Sequence, residues 1–128
     1  MKARILLIED NEQNRYLATF LLEKSGYTVI HAPNGPAGID LALRESFDLI
    51  LLDIQLPGMD GYAVARALRD IPALAAAPII AVTSYAMAGD REKALSAGCN
   101  HYLEKPINPE TFVAEVICHI RPSQERSS

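Results

Sequence analysis

Four short stretches of this chain place reactive side chains at or just after apolar runs: Glu9 and Asp10 follow ILLI, Asp53 ends LILLD, Thr83 ends IIAVT, and Lys105 follows HYLE. Carboxylates brought to one place repel one another, so a cluster of them either keeps protons or recruits a cation. A hard divalent cation with oxygen ligands suits such a cluster. Mg²⁺ in particular takes one or two carboxylates directly, keeps several waters, and favours sites where a phosphoryl oxygen can join its shell. Asp10 and Asp53 are then the direct ligands, and Glu9 holds a metal-bound water. Lysine is a compact point charge suited to a phosphoryl oxygen, and the Thr83 hydroxyl, followed by that of Ser84, adds a donor. The Lys105–Pro106 bond is of the kind that can be cis. Each feature also has a plainer explanation. Glu9, Asp10 and Asn11 fit a solvated helix cap, Lys105 a surface turn before a proline, and Thr83 an ordinary strand end.

Whether these residues meet depends on the elements that carry them. Short apolar runs alternate with segments of helical period, which predicts an α/β domain with a parallel sheet. The strands are expected at Ile5 to Ile8, Thr28 to Ala32, Leu49 to Asp53, Pro78 to Thr83 and His101 to Glu104. The first, third and fourth are nearly continuous apolar runs, as central strands covered on both faces should be. The second and fifth are mixed and read as edges. Helical stripes are expected from Leu17, Phe20 and Leu21, from Ile39, Ala42 and Leu43, from Val64, Ala67 and Leu68, and from Phe112, Val116 and Ile120. A short fourth helix, DREKALSA, has only Ala94, Leu95 and Ala97 as apolar residues before Gly98 stops it. Pro36 and Pro109 fit first helical turns, and Gly26, Gly58, Gly61 and Gly98 punctuate the loops.

Right-handed crossovers leave few topologies for five such units, and one common doubly wound, flavodoxin-like order is 2-1-3-4-5, with helices on both faces. In that order the first and third strands are neighbours at the switch point, where ligands of open α/β sheets bind. Glu9, Asp10 and Asp53 should therefore face one another.

Composition narrows the alternatives. With 128 residues, of which 49% are hydrophobic, the chain has material for one core. One domain is expected over residues 1–122, followed by a polar tail at 123–128. A net charge of -4 offers no basic field for nucleic acid or an anionic membrane. The amino-terminal apolar run is too short for a signal peptide or a membrane span. Cys99 and Cys118 lack metal or redox spacing and read as two buried thiols in a reducing cytoplasm. His31, His101 and His119 show no ligand spacing and are assigned no role.

Taken together, LLIEDN, LILLDIQLPGMDG, IIAVTS and YLEKP resemble the receiver-domain family of bacterial response regulators, over roughly residues 3 to 120. The wording DNEQN, DIQLPGMDG and KPI is closest to the family's single-domain members. The resemblance implies that Asp53 accepts a phosphoryl group from a histidine kinase or histidine phosphotransferase, and that Glu9, Asp10, Asp53 and the Gln55 main-chain carbonyl form a Mg²⁺ site. It further implies that Lys105 pairs with the phosphoryl oxygens, that Thr83 bonds one of them after transfer, and that Tyr102 is a switch aromatic moving inward from an exposed rotamer. The output would leave through a protein target bound to the face of the fourth helix, fifth strand and fifth helix. A plainer reading of Tyr102 is packing alone. Such a chain is a signalling protein, catalysing only its own phosphorylation and dephosphorylation. A metal-dependent phosphatase with an aspartyl nucleophile would carry a general acid two residues on, where this chain has Gln55. A flavin mononucleotide carrier would need a phosphate-cradling first loop, and EDNEQN would repel a phosphate. A receiver that no longer takes phosphate would be expected to lack some of these residues, and none is missing.

Overall fold

The structure is a computed structural model that describes residues 3–55, 60–83 and 89–120. Five strands alternate with five helices: β1 (Arg4–Ile8), α1 (Glu12–Lys24), β2 (Thr28–Ala32), α2 (Gly35–Arg44), β3 (Leu49–Asp53), α3 (Gly61–Arg69), β4 (Ile79–Thr83), α4 (Asp90–Ser96), β5 (His101–Glu104) and α5 (Phe112–Ile117). A 3₁₀ turn, Pro72–Leu74, precedes β4. The strands are all parallel in the order β2-β1-β3-β4-β5, as expected, with the two mixed strands at the edges. Strands β3 and β4 are buried along their whole length, which their unbroken apolar runs require once helices cover both faces.

Two cores result, one on each side of the sheet. Alternate residues of the central strands divide between them: Leu6, Ile8, Ile50 and Leu52 pack with α2, α3 and α4, whereas Ile5, Leu7, Leu49 and Leu51 pack with α1 and α5. The boundaries of two strands shift by one residue. Strand β1 starts at Arg4, whose main-chain N–H is fixed by the Asp48 carboxylate at 2.8 Å and which pairs with Thr28. Strand β4 starts after Pro78, which has no N–H to add to a ladder, although its carbonyl accepts from Ile50.

The helices depart further from expectation. Helix α1 buries Ala18 and Leu22; of the expected face through Leu17 and Leu21, with Phe20 beside it, Leu21 packs half-buried against the core. Phe20 is 48% exposed, stacked on Tyr16 with the Lys24 ammonium over its ring. Helix α2 buries Gly35, Gly38 and Ala42, and Leu43 is 66% exposed. In α3 the buried residues are Gly61, Val64, Ala65 and Leu68, with Ala67 only half-buried. Leu95 points outward, leaving Ala94 and Ala97 to seat α4. Gly98 follows that helix with φ of 106°, a left-handed conformation that ends it.

Phe112, Val116 and Ile120 are all buried, as their spacing predicts. Pro109, however, is not in the first turn of α5. Asn108 takes that ground: its side chain accepts from the Glu110 N–H and its carbonyl from Thr111 and Phe112, so the helix starts only at Phe112. Cys99 is buried but Cys118 is exposed, at the carboxyl end of α5, so the pair are not two buried thiols. Gly58, Ser84 and the 123–128 tail lie outside the described residues.

Candidate acidic phosphoryl site

The carboxyl ends of β1 and β3 are adjacent, and the residues that follow them converge. Glu9 leaves β1 with its N–H bonded to Ala32 O at 3.1 Å and its side chain buried. The helix-cap explanation for this acidic run falls to Asn11, which caps α1 by accepting the Asn14 N–H at 2.9 Å. Asp10 is thus not the cap, while Glu9 Oε2 accepts the Asn11 N–H at 3.2 Å. Asp53, the last residue of β3, is only 3% exposed, and its Oδ1 accepts the Gln55 N–H at 2.9 Å. One oxygen from each of Glu9, Asp10 and Asp53 can be chosen so that all lie within 4.8 Å of one another. Asp10 is the exposed member of the three, at the mouth of the site.

Lys105 follows β5 and crosses to the acids. Its Nζ donates to Asp53 Oδ2 at 3.2 Å and stands 3.2 Å from Glu9 Oε1, with the side chain 8% exposed. The Lys105–Pro106 peptide is cis, and the Lys105 N–H bonds Thr83 O at 2.7 Å, which joins the lysine to the end of β4. Thr83 is buried at that end. Below the site, α3 begins at Gly61, where a Cβ would stand 2.5 Å from the Ile54 backbone, so only glycine lets the helix start this close to the segment after Asp53.

Three acids face one lysine, and the imbalance is visible in Glu9. Its carboxyl is pushed up to about 7, first by burial, then by its hydrogen bond and proximity to Asp53, against smaller lowering influences from Lys105 and the Asn11 N–H. Burial and the neighbouring Asp53 thus disfavour the charged form of Glu9, and a cation among the acids would favour it. Hard oxygen donors within 4.8 Å of one another, with one lysine to offset three acids, fit a small divalent ion.

The structure thus brings together Glu9, Asp10, Asp53, Gln55, Thr83 and Lys105. Tyr102 stands apart, on β5 opposite Ala81. Its ring packs against the α3–α4 core, and its hydroxyl is buried with no hydrogen-bond partner among the described residues. The expected outward rotamer is not the one seen. Two of the histidines left without a role, His101 and His119, stack with ring centroids 4.4 Å apart, between β5 and the end of α5. The third, His31, places Nε2 at 2.8 Å from the Glu9 carbonyl. Nothing in the spacing of the sequence could reveal that contact, because it spans two strands.

A parallel sheet of this order with an acidic cluster at its carboxyl edge makes an open α/β domain with its ligand site at the switch point between β1 and β3. The model for the response regulator receiver domain matches residues 5–117, and the chain belongs to that family. It is 42% identical over 116 residues to the polar-differentiation response regulator DivK of Brucella anthropi, covering 91% of this chain and 94% of that protein. Among solved structures, the receiver domain of a sensor histidine kinase from Pseudomonas aeruginosa, with a magnesium ion coordinated in its active-site cleft, is 37% identical with a TM-score of 0.82, over 91% of this chain and 95% of that one. A CheY-like receiver domain protein from Methanospirillum hungatei covers both chains completely at 28% identity and a TM-score of 0.89. The chain is a signalling receiver domain. No helix among the described residues is long and apolar enough to cross a membrane.

Proposed function

We propose that Asp53 accepts a phosphoryl group from the phosphohistidine of a histidine kinase or histidine phosphotransferase. The observation that supports this most is the lysine: Nζ at 3.2 Å from a buried acceptor carboxylate, among three acids at one strand edge. In the transfer an Asp53 oxygen bonds to phosphorus as the phosphorus–nitrogen bond breaks, and the electron pair leaves on the imidazole. The attacking carboxylate approaches a group that is already anionic, so positive charge and alignment are what the site must supply. Mg²⁺, held by Asp10, Asp53 and the Gln55 main-chain carbonyl with Glu9 acting through a water, would supply that charge on the phosphoryl oxygens. Lys105 exchanges its contact with Asp53 for one with a phosphoryl oxygen, and the Thr83 hydroxyl bonds another after transfer.

The receiver domain spans residues 1–122 and works in the cytoplasm, without contact to nucleic acid or membrane. Its output passes through Thr83 and Tyr102 to a protein target on the face formed by α4, β5 and α5. Incubation with a small phosphodonor and Mg²⁺ tests this reading. The wild-type chain should gain one phosphoryl group, and Asp53→Asn, nearly isosteric but without the nucleophile, should gain none while staying folded. Full labelling of that variant would overturn the assignment, and continual turnover of donor by the wild type would favour a phosphatase.

A further inference from the structure

The Glu9–Asp10 turn is held from the side by β2, through a side chain that no site motif includes. The β1–β2 ladder ends with Ile8 opposite Ala32, and the Glu9 N–H extends it by one bond to Ala32 O at 3.1 Å. The next group along, the Glu9 carbonyl, lies 2.8 Å from His31 Nε2. On the other side of the ring, Arg15 of α1 brings Nη1 to 3.4 Å from His31 Nδ1. A carbonyl can only accept and a guanidinium can only donate. Both contacts are satisfied at once only by the neutral ring with its proton on Nε2, so the second-side partner selects the tautomer that donates to Glu9.

We infer that His31, with Arg15 behind it, is a positioning residue for metal capture at the acidic pair, an inference that rests on reading that pair as a Mg²⁺ site. The peptide between Glu9 and Asp10 is a rigid plane. Fixing its carbonyl fixes the direction in which the Asp10 backbone leaves β1, and Asp10 is the exposed acid of the cluster, with the least packing of its own. Mg²⁺ demands near-ideal octahedral geometry, so a misdirected carboxylate costs more here than it would with a larger, more tolerant ion. The ring supplies no ligand and touches no reacting atom. It sets where a ligand stands.

The test is Mg²⁺ titration by calorimetry of the full chain and of His31→Leu and His31→Gln, without phosphodonor. Leucine fills space but cannot donate, whereas the glutamine amide can reach and donate as the ring does. His31→Leu should bind Mg²⁺ about tenfold more weakly, and His31→Gln should stay within about threefold of wild type. Unchanged affinity in a folded His31→Leu overturns the proposal, and so does a glutamine variant as weak as the leucine one, since that would mean the ring acts by packing. Should His31→Leu fail to fold, the ring nitrogens of wild type and Arg15→Met decide by ¹⁵N NMR. Wild type should carry the proton on Nε2, and Arg15→Met should lose that preference and some Mg²⁺ affinity; a proton on Nδ1 in the wild type overturns the proposal. A wild-type chain that binds no Mg²⁺ while showing the Nε2–H tautomer would instead indict the metal-site reading itself.

Discussion

Asp53 and Tyr102 lie two strands apart in the same sheet and are built on opposite terms. Asp53 is buried with each carboxylate oxygen engaged, Oδ1 by the Gln55 N–H and Oδ2 by Lys105. Tyr102 is anchored by its ring in the α3–α4 core, with a buried hydroxyl that finds no partner among the described residues. Its phenol is pushed up by that burial, and further by Asp90 and Glu104. A fully satisfied polar group is expensive to move, whereas an unsatisfied one has something to gain from moving. The acidic end of the edge is thus held by its own bonds, and the proposed switch at β5 rests on a hydroxyl that has a bond to gain.

The sharpest break in that comparison comes from Asp53→Asn, which should remove phosphorylation entirely while leaving β5 as it is. Next in size is Asp10→Asn. Asp10 is a proposed direct ligand, and its replacement should weaken Mg²⁺ binding by at least about tenfold, more than the loss of any supporting group. Calorimetry with unchanged affinity in Asp10→Asn would place the ion elsewhere.

A pH dependence separates the two ends as well. Glu9 holds its proton to about 7 in the folded chain, against 4.5 for the ordinary carboxyl. Between those values the folded state binds a proton that the unfolded chain has lost, so this group's contribution to stability is complete below the lower value and declines as pH rises to the upper one. With metal removed by chelator, the wild type should lose of order 2 kcal/mol relative to Glu9→Gln across that window, since the amide cannot titrate. Urea denaturation of both chains at several pH values measures the difference. Parallel curves would mean that Lys105 and the Asn11 N–H outweigh burial and Asp53 and keep Glu9 ionised.

Much of this organisation was legible in the residue order. The strands are apolar runs whose ends carry the reactive groups, and one strand order suffices to bring Glu9, Asp10 and Asp53 together. Helix faces were harder to read, for a definite reason. Gly35, Gly38 and Ala42 in α2 and Ala18 in α1 bring the helices close to the sheet, so small residues do the packing while Leu43 and Phe20 are left outside. The expected stripes therefore share part of the core face, through Leu21, Ile39 and Ala42, but include large residues that lie outside it. The His31 contact was invisible for another reason: it joins residues 22 apart in the chain through a main-chain carbonyl, which has no residue type to betray it.

Between the two ends stands Thr83, and replacing it tests whether they communicate. Thr83→Ala should accept a beryllofluoride phosphoryl mimic, because Asp53 and Lys105 remain. Its amide shifts in α4 and β5 on adding the mimic should be smaller than those of wild type. Equal distant shifts would show that the coupling bypasses the hydroxyl, and a change in stability alone would leave Thr83 as a packing residue.

The smallest effect belongs to the Tyr102 hydroxyl itself. A buried polar atom without a hydrogen bond has lost its water and gained nothing in exchange, so its removal is worth about 1 kcal/mol to the state that buries it. Tyr102→Phe keeps the ring against the α3–α4 core and deletes only that atom. The variant should therefore be slightly more stable than wild type to urea, the reverse of the usual result for trimming a buried side chain. It should also hold the inward rotamer more firmly, and so respond less to the phosphoryl mimic at β5 while taking up phosphate normally at Asp53. A Tyr102→Phe chain less stable than wild type would mean that the hydroxyl is satisfied in solution, and the contrast between a settled acidic end and an unsettled β5 would lose its physical basis.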